Sequence, residues 1–294
     1  MPQVANQKKI FNGPRLGAHV SAAGSVADAV QKAYELGCEC FQFFSRSPRG
    51  GPAPKLDKQT IALFRQRSRG YDLPSVIHAP YYINFASDKL RIRQASSRVL
   101  REELERGSLL GCQAMMTHLG STKDLGEKQA LKLTAEGIIE LLKGYKGTTQ
   151  FLIELSAGAG AIIGDSFEEV ATIIKQVEKK VPARVGVCFD TCHAFVSGYD
   201  LRTAKDVAQT LTEFNKIIGL DRLKVIHLND AKFELGSRRD RHEHIGLGEI
   251  GETGIQALLN YKKMAGLLAI LETPSDDKRI QDLELVKKLR DGKE

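Results

Sequence analysis

A short apolar run followed by a longer amphipathic, charged segment recurs eight times along the chain, and this alternation constrains the fold more than any other feature. The apolar runs are Arg15–Val20, Cys40–Ser45, Ser75–Ala79, Ala114–Leu119, Gln150–Leu155, Val185–Asp190, Leu223–Leu228 and Leu267–Glu272. Helix-like stretches lie between them, among them 88–110, 125–143, 166–180 and 202–218, with Asp or Ser near several starts and Gly near several ends. Eight strand–helix units in 294 residues are what a closed (β/α)8 barrel requires. The rival, a doubly wound open sheet, opens on a Gly-rich phosphate loop after its first strand, and GAHVSAAGS lacks the GxGxxG spacing. No linker or low-complexity tract divides the sequence. The expectation is one α/β domain, a single (β/α)8 TIM barrel over 15–294, preceded by a flexible extension over 1–14.

Where each apolar run ends carries the functional signal. The last or next-to-last residue is His19 in the first, His78 in the third, His118 in the fourth and Glu154 in the fifth; in the sixth, seventh and eighth it is Asp190, His227 and Glu272. In a parallel barrel the C-terminal strand ends form the active-site face. Side chains alternate along a strand, so the residue two earlier points to the same side. Those residues are Gly17, Val76, Met116, Leu152, Cys188, Val225 and Ile270, all small or apolar. The strands therefore read as barrel-filling, with a polar group at the mouth.

A single His near a strand end is more often a hydrogen-bonded structural residue than a ligand, and a single buried acid often caps a helix. Seven on separate strands are harder to account for, because a buried ionisable group is costly unless it is paired or metal-bound. Two further groups join them: Asp190-Thr-Cys-His193 after the sixth run, and Asp240-Arg-His242 in the charged loop after the seventh. The candidate ligands are His78, His118, Glu154, Asp190, His193, His227, Asp240, His242 and Glu272. Imidazoles mixed with carboxylates suit Zn²⁺ or another borderline first-row ion better than Mg²⁺. At about three protein ligands per catalytic zinc, such a set serves up to three ions, with a carboxylate such as Glu154 able to bridge two.

Composition narrows the setting. Forty-three Lys and Arg against 36 Asp and Glu leave a net charge of +7, compatible with a polyanionic partner. Trp is absent and aromatics make up only 6%, which disfavours a base-stacking platform as the main function. No apolar stretch reaches the roughly 20 residues of a membrane span, and MPQVANQKKIFNG lacks the apolar core of a secretory signal. An intracellular protein without membrane association is expected. Its five cysteines (Cys38, Cys40, Cys112, Cys188 and Cys192) are expected as reduced thiols, with Cys188 filling the barrel rather than binding metal.

The segments GAHVSAAGS, HAPYYIN, HLGS, GVCFDTCHAFVSGYD, HLNDAKFELGSRRDRHEHIGLG and the final ETP resemble, in order, the endonuclease IV family of apurinic/apyrimidinic endonucleases, over about residues 15–290. The DTCH and HLND…GSRxDRHxxIGxG segments carry most of the specificity. The resemblance implies a TIM barrel holding three Zn²⁺ per chain, with Mn²⁺ able to replace part of them, acting on duplex DNA that contains abasic sites or blocked 3′ ends. Carried over by position, it assigns His78, His118 and Glu154 to one zinc, Glu154, Asp190, His227 and Glu272 to a second, and His193, Asp240 and His242 to a third. His19 matches no family ligand. Tyr81 and Tyr82 resemble the pair that enters the minor groove, and Arg49 in FSRSPRG resembles the arginine inserted into the base stack. Two segments depart from the family pattern: Ser47 stands where an Asn is usual, and the stretch after Glu154 is LSAGAG in place of NTAGxG.

The implied reaction is hydrolysis of the phosphodiester 5′ to an abasic nucleotide, leaving a 3′-hydroxyl and a 5′-deoxyribose phosphate, with Glu154 as the catalytic carboxylate. Cleaning of blocked 3′ ends uses the same site. Arg238, Arg239 and Arg241 are expected to grip phosphates, and a monomer is the default. A metal-dependent sugar isomerase or epimerase on a related barrel is the main rival; Glu154, Asp190, His227 and Glu272 alone would serve it. The remaining histidines and Asp240 separate the two readings. A lesion-binding protein without turnover is a third.

Overall fold

The computed structural model describes residues 11–122, 125–274 and 278–292. Eight parallel strands alternate with helices: β1 Arg15–His19, α1 Val26–Glu35, β2 Cys40–Phe43, α2 Lys58–Gly70, β3 Ser75–His78, α3 Leu90–Leu110, β4 Ala114–Thr117 and α4 Glu127–Leu142. The second half holds β5 Gln150–Glu154, α5 Phe167–Glu178, β6 Gly186–Asp190, α6 Thr191–Val196, α7 Ala204–Ile217, β7 Leu223–His227, α8 Gly251–Leu259, β8 Leu268–Leu271 and α9 Lys278–Asp291. Each strand pairs with its neighbours in sequence, and β8 closes on β1 through Arg15↔Leu268 to Ala18↔Leu271. The expected TIM barrel is the observed fold.

The strands are buried on both faces, which gives the molecule two cores. Inside the barrel, Val76, Met116, Leu152, Cys188, Val225 and Ile270 pack with Cys40, Ala114 and Leu268. These are the inward positions expected from alternation, except that Gly17 adds no side chain to the layer. Its backbone lies against Cys40, and a Cβ there would fall 1.7 Å from the Cys40 carbonyl oxygen. The second, larger core lies between barrel and helices. In α1, Val26, Ala27, Ala29, Val30 and Ala33 form the buried stripe, and Ser25 Oγ caps the first turn by accepting from Ala27 N.

The strand ends differ from expectation by a residue or two, for local reasons. β2 stops at Phe43 because Ser45 turns away to donate to Glu103 Oε2 at 2.7 Å and to accept from Arg106 Nη2 through its carbonyl. β4 and β8 stop one residue before His118 and Glu272, leaving both at the rim. α6 forms because Asp190 caps it, Oδ1 accepting from His193 N at 2.9 Å. Beyond β7, Asp230–Ala231 pairs antiparallel with His242–Glu243 and folds the charged loop back on itself.

Residues 1–10 of the expected extension lie outside the described residues. Gly13 and Pro14 are buried, and the Arg15 and Arg290 guanidinium carbons lie 5.2 and 5.0 Å from the centre of the Phe11 ring. All five cysteines are buried as free thiols.

Candidate metal centre

Strand ends deliver the polar residues to one point. Glu154, at the end of β5, is fully buried, and its two carboxylate oxygens face different partners. Oε2 lies 3.0 Å from His78 Nε2 and 3.5 Å from His118 Nε2. Oε1 lies 2.8 Å from His227 Nδ1. His227 Nδ1 is also 3.2 Å from Glu272 Oε2 and 3.7 Å from Asp190 Oδ2. Two donor groups result, His78–His118–Glu154 and Glu154–Asp190–His227–Glu272, each with its ligand atoms within 4.8 Å of one another.

The third expected set gathers more loosely. Asp240 Oδ1 lies 3.3 Å from His193 Nε2 and 3.7 Å from His242 Nε2. Two overlapping donor groups occur there, Asp190–His193–His242 and Cys192–Asp240–His242. Burial pushes the Cys192 thiol far above its ordinary value, and Sγ donates to the Arg241 carbonyl. Asp190 belongs to both the Glu154–Asp190–His227–Glu272 group and the Asp190–His193–His242 group while also capping α6, so the capping role and the cluster role coexist in one side chain.

The electrostatics follow from this crowding. Burial disfavours charge on Glu154, yet His118, His227 and His78 hold its carboxyl well below the usual range. Burial likewise opposes protonation of His193, but Asp190, Asp240 and Glu154 raise its pKa to about 10. Asp240 is drawn down to about 2 by His193 and His242 against its own desolvation. Buried opposite charges this dense fit a cation-binding centre.

The donor set also fits zinc in spacing. Ligand atoms about 2.0–2.2 Å from one ion stand about 3.3 Å apart across a tetrahedral angle. The imidazole–carboxylate separations given above for the Glu154 groups run from 2.8 to 3.7 Å, and all ligand atoms of each group lie within 4.8 Å of one another. His242 Nε2 is buried without a hydrogen-bond partner among the described residues, aimed at Asp190 Oδ2 at 3.6 Å. Main-chain carbonyls orient three of the rings. His78 Nδ1 lies 2.6 Å from Ala79 O, His193 Nδ1 2.9 Å from Leu155 O, and His242 Nδ1 3.1 Å from Glu272 O. Each therefore turns Nε2 into the site.

The family described as xylose isomerase-like TIM barrel matches residues 30–291. The chain is 40% identical over 280 residues to the probable endonuclease 4 of Nitrosopumilus maritimus, covering 94% of this chain and 99% of the relative. The chain belongs to the endonuclease 4 family. Among solved structures, endonuclease IV from Thermus thermophilus matches with a TM-score of 0.84 and 33% identity, over 95% of this chain and all of that one. A D-tagatose 3-epimerase-like protein shares the fold (TM-score 0.71, 19% identity, covering 94% of this chain and 97% of that one).

For this endonuclease 4 family member, the cavity above the candidate ligands has a volume of about 1290 Å³, and Arg49, Tyr81 and Arg241 line it with His19, His78, His118, His193 and Glu272. Tyr81 is 66% exposed, its ring standing on Phe44 at 5.3 Å and His78 at 5.9 Å. Tyr82, 41% exposed, lines an adjoining hollow. The loops carrying Arg49 and Tyr81 touch where Tyr81 N donates to Pro48 O. Arg238 and Arg239 stand apart from the cavity. Arg238 lies 3.7 Å from Asp165, and Arg239 covers the Phe233 ring at 3.4 Å.

Three supporting residues escape the strand-end reading. Gln42 lies two residues after Cys40, so the same alternation turns it inward; its place in an apolar, aromatic run obscures that signal. Asn229 donates to Asp190 Oδ2 and accepts from Glu272 N, tying the ends of β6, β7 and β8. Asp230 accepts from the amides of Ala231, Gly246, Gly248, Ile250 and Gly251, which shapes the loop that follows His242.

Proposed function

We propose that the protein is a zinc-dependent DNA repair endonuclease that hydrolyses the phosphodiester 5′ to abasic sites in duplex DNA, leaving a 3′-hydroxyl and a 5′-deoxyribose phosphate, and that it trims blocked 3′ ends at the same site. The observation that carries this reading is Glu154, one oxygen facing His78 and His118 and the other facing His227. A one-metal sugar isomerase needs the Glu154–Asp190–His227–Glu272 group and has no use for the remaining histidines around it. The cavity is also larger than the roughly 300–1,000 Å³ of small-molecule sites.

His78, His118 and Glu154 would hold one ion, Glu154, Asp190, His227 and Glu272 a second, and His193, Asp240 and His242 a third. Zinc held there supplies Lewis acidity towards the phosphodiester and a water acidic enough to ionise near pH 7. Glu154, charged and shielded from solvent, orients the nucleophile and accepts its proton at a carboxylate oxygen. Tyr81, Tyr82 and Arg49 enter the duplex at the lesion, where the missing base lowers the cost of unstacking. The extruded sugar then occupies the cavity that Tyr81 and Arg49 line. Arg238, Arg239 and Arg241 hold flanking phosphates. The enzyme acts as an intracellular monomer on DNA.

The test is incision of a duplex carrying one tetrahydrofuran abasic analogue, which cannot undergo β-elimination, with zinc quantified on the same protein. Cleavage 5′ to the analogue with close to three zinc ions per chain is the expected result. Tight binding without cleavage at full metal loading points to a lesion-binding protein. Neither binding nor cleavage at full loading overturns the nuclease and redirects the search to ketose and aldose substrates.

A further inference from the structure

Four histidines near the candidate metals have ring orientations set by hydrogen bonds, and one of them differs. His78, His193 and His242 each lean Nδ1 on a main-chain carbonyl. His227 is reversed: Nδ1 faces Glu154, Glu272 and Asp190, and Nε2 lies 2.8 Å from Gln42 Oε1. Its orientation depends on a side chain.

Gln42 is fully buried in β2 and its amide is saturated. Nε2 donates to Glu272 Oε1 at 2.6 Å and to His19 Nδ1 at 2.9 Å. Those two acceptors take both amide protons, which leaves Oε1 to accept from His227 Nε2. The amide cannot be reversed without setting its oxygen against the Glu272 carboxylate. One neutral side chain thus dictates the tautomer of His227 and the aim of Glu272, two members of the same donor group.

We propose that Gln42 is the positioning residue of the central metal site. It keeps His227 protonated on Nε2, with the Nδ1 lone pair directed at the point where Glu154, Asp190 and Glu272 converge, and it locks the Glu272 carboxylate at that point. His19, which matches no ligand of the family, completes the arrangement by accepting the second amide proton. The proposal rests on the reading of this cavity as a zinc centre.

Gln42→Met tests it, because methionine keeps the length and volume and removes all three hydrogen bonds. Zinc content and zinc release to a chromophoric chelator are measured on the full-length parent and the variant. The variant is expected to release one zinc with about 10–100-fold weaker retention than the parent. Its kcat on the tetrahydrofuran duplex is expected to fall while KM stays near the parental value, because the DNA-contacting loops are untouched. A second measurement needs no variant. In ¹⁵N-histidine spectra of the zinc-loaded parent, His227 is expected to show a slowly exchanging Nε2–H with cross-relaxation to the Gln42 amide. A parent without that contact overturns the proposal, as does equal zinc retention in parent and variant. A parent that takes up no zinc overturns the metal-centre reading itself, and the proposal with it.

Discussion

At Glu154 a single charge serves two donor groups, so its removal is felt in both. Glu154→Gln keeps the shape and abolishes the charge; the expected outcome is fewer zinc ions per chain by elemental analysis. Incision should fall by more than about 100-fold, beyond the loss that an outer-shell partner causes. His193 and Asp240 predict the pH response of the metal-free protein. The Asp240 pKa of about 2 lies below its ordinary value, so its contribution to stability is present above pH ~4 and lost as pH falls towards 2. The His193 pKa of about 10 lies above its ordinary value, so its contribution is complete below pH ~6.5 and lost as pH rises towards 10. Denaturant midpoints across this range should therefore decline at both ends. Zinc loading at neutral pH should release protons from His193, measurable by calorimetry in buffers of different ionisation enthalpy.

At the scale of elements, the segment after β2 hangs from α3. Arg46 reaches Glu103 and Glu102 at 2.7 Å each, and Arg106 donates to Ser45 Oγ and to the carbonyls of Ser45 and Pro54. Glu103 lies fully buried between two cations, and removing it leaves Arg106 without an ion-pair partner and Arg46 with only the exposed Glu102. Glu103→Ala should cost about 3–5 kcal/mol in urea unfolding and loosen the loop that carries Arg49. A variant with unchanged stability would refute that account. Nothing in the sequence marks Glu103, because its hydrogen-bond partners Ser45 and Arg46 lie 58 and 57 residues away, and Arg106 three residues on reads as an ordinary helix-surface pair. The eight strands were legible because their signal is local, an apolar run that in seven of the eight closes on an ionisable residue. α6 was not, since Asp190 read as a ligand alone conceals its service as a cap. The fold of the loop beyond Asp230 was equally hidden, because it is set by hydrogen bonds to amides up to 21 residues ahead.

At the scale of the whole molecule, a net charge of +7 accompanies a mouth lined by Arg49 and Arg241, with Arg238 and Arg239 outside it. The logarithm of the affinity for an abasic duplex should fall linearly with the logarithm of salt concentration, and Arg241→Ala should reduce that slope by about one. An unchanged slope would remove Arg241 from the phosphate contacts. The way the rings are held has a genetic consequence. The carbonyls of Ala79, Leu155 and Glu272 survive any point substitution that preserves the local backbone, so codon changes there leave the attached imidazoles aimed as before. The LSAGAG segment can therefore drift from its family pattern without disturbing His193, while at position 42 the aim of a ring is written in a codon and open to mutation.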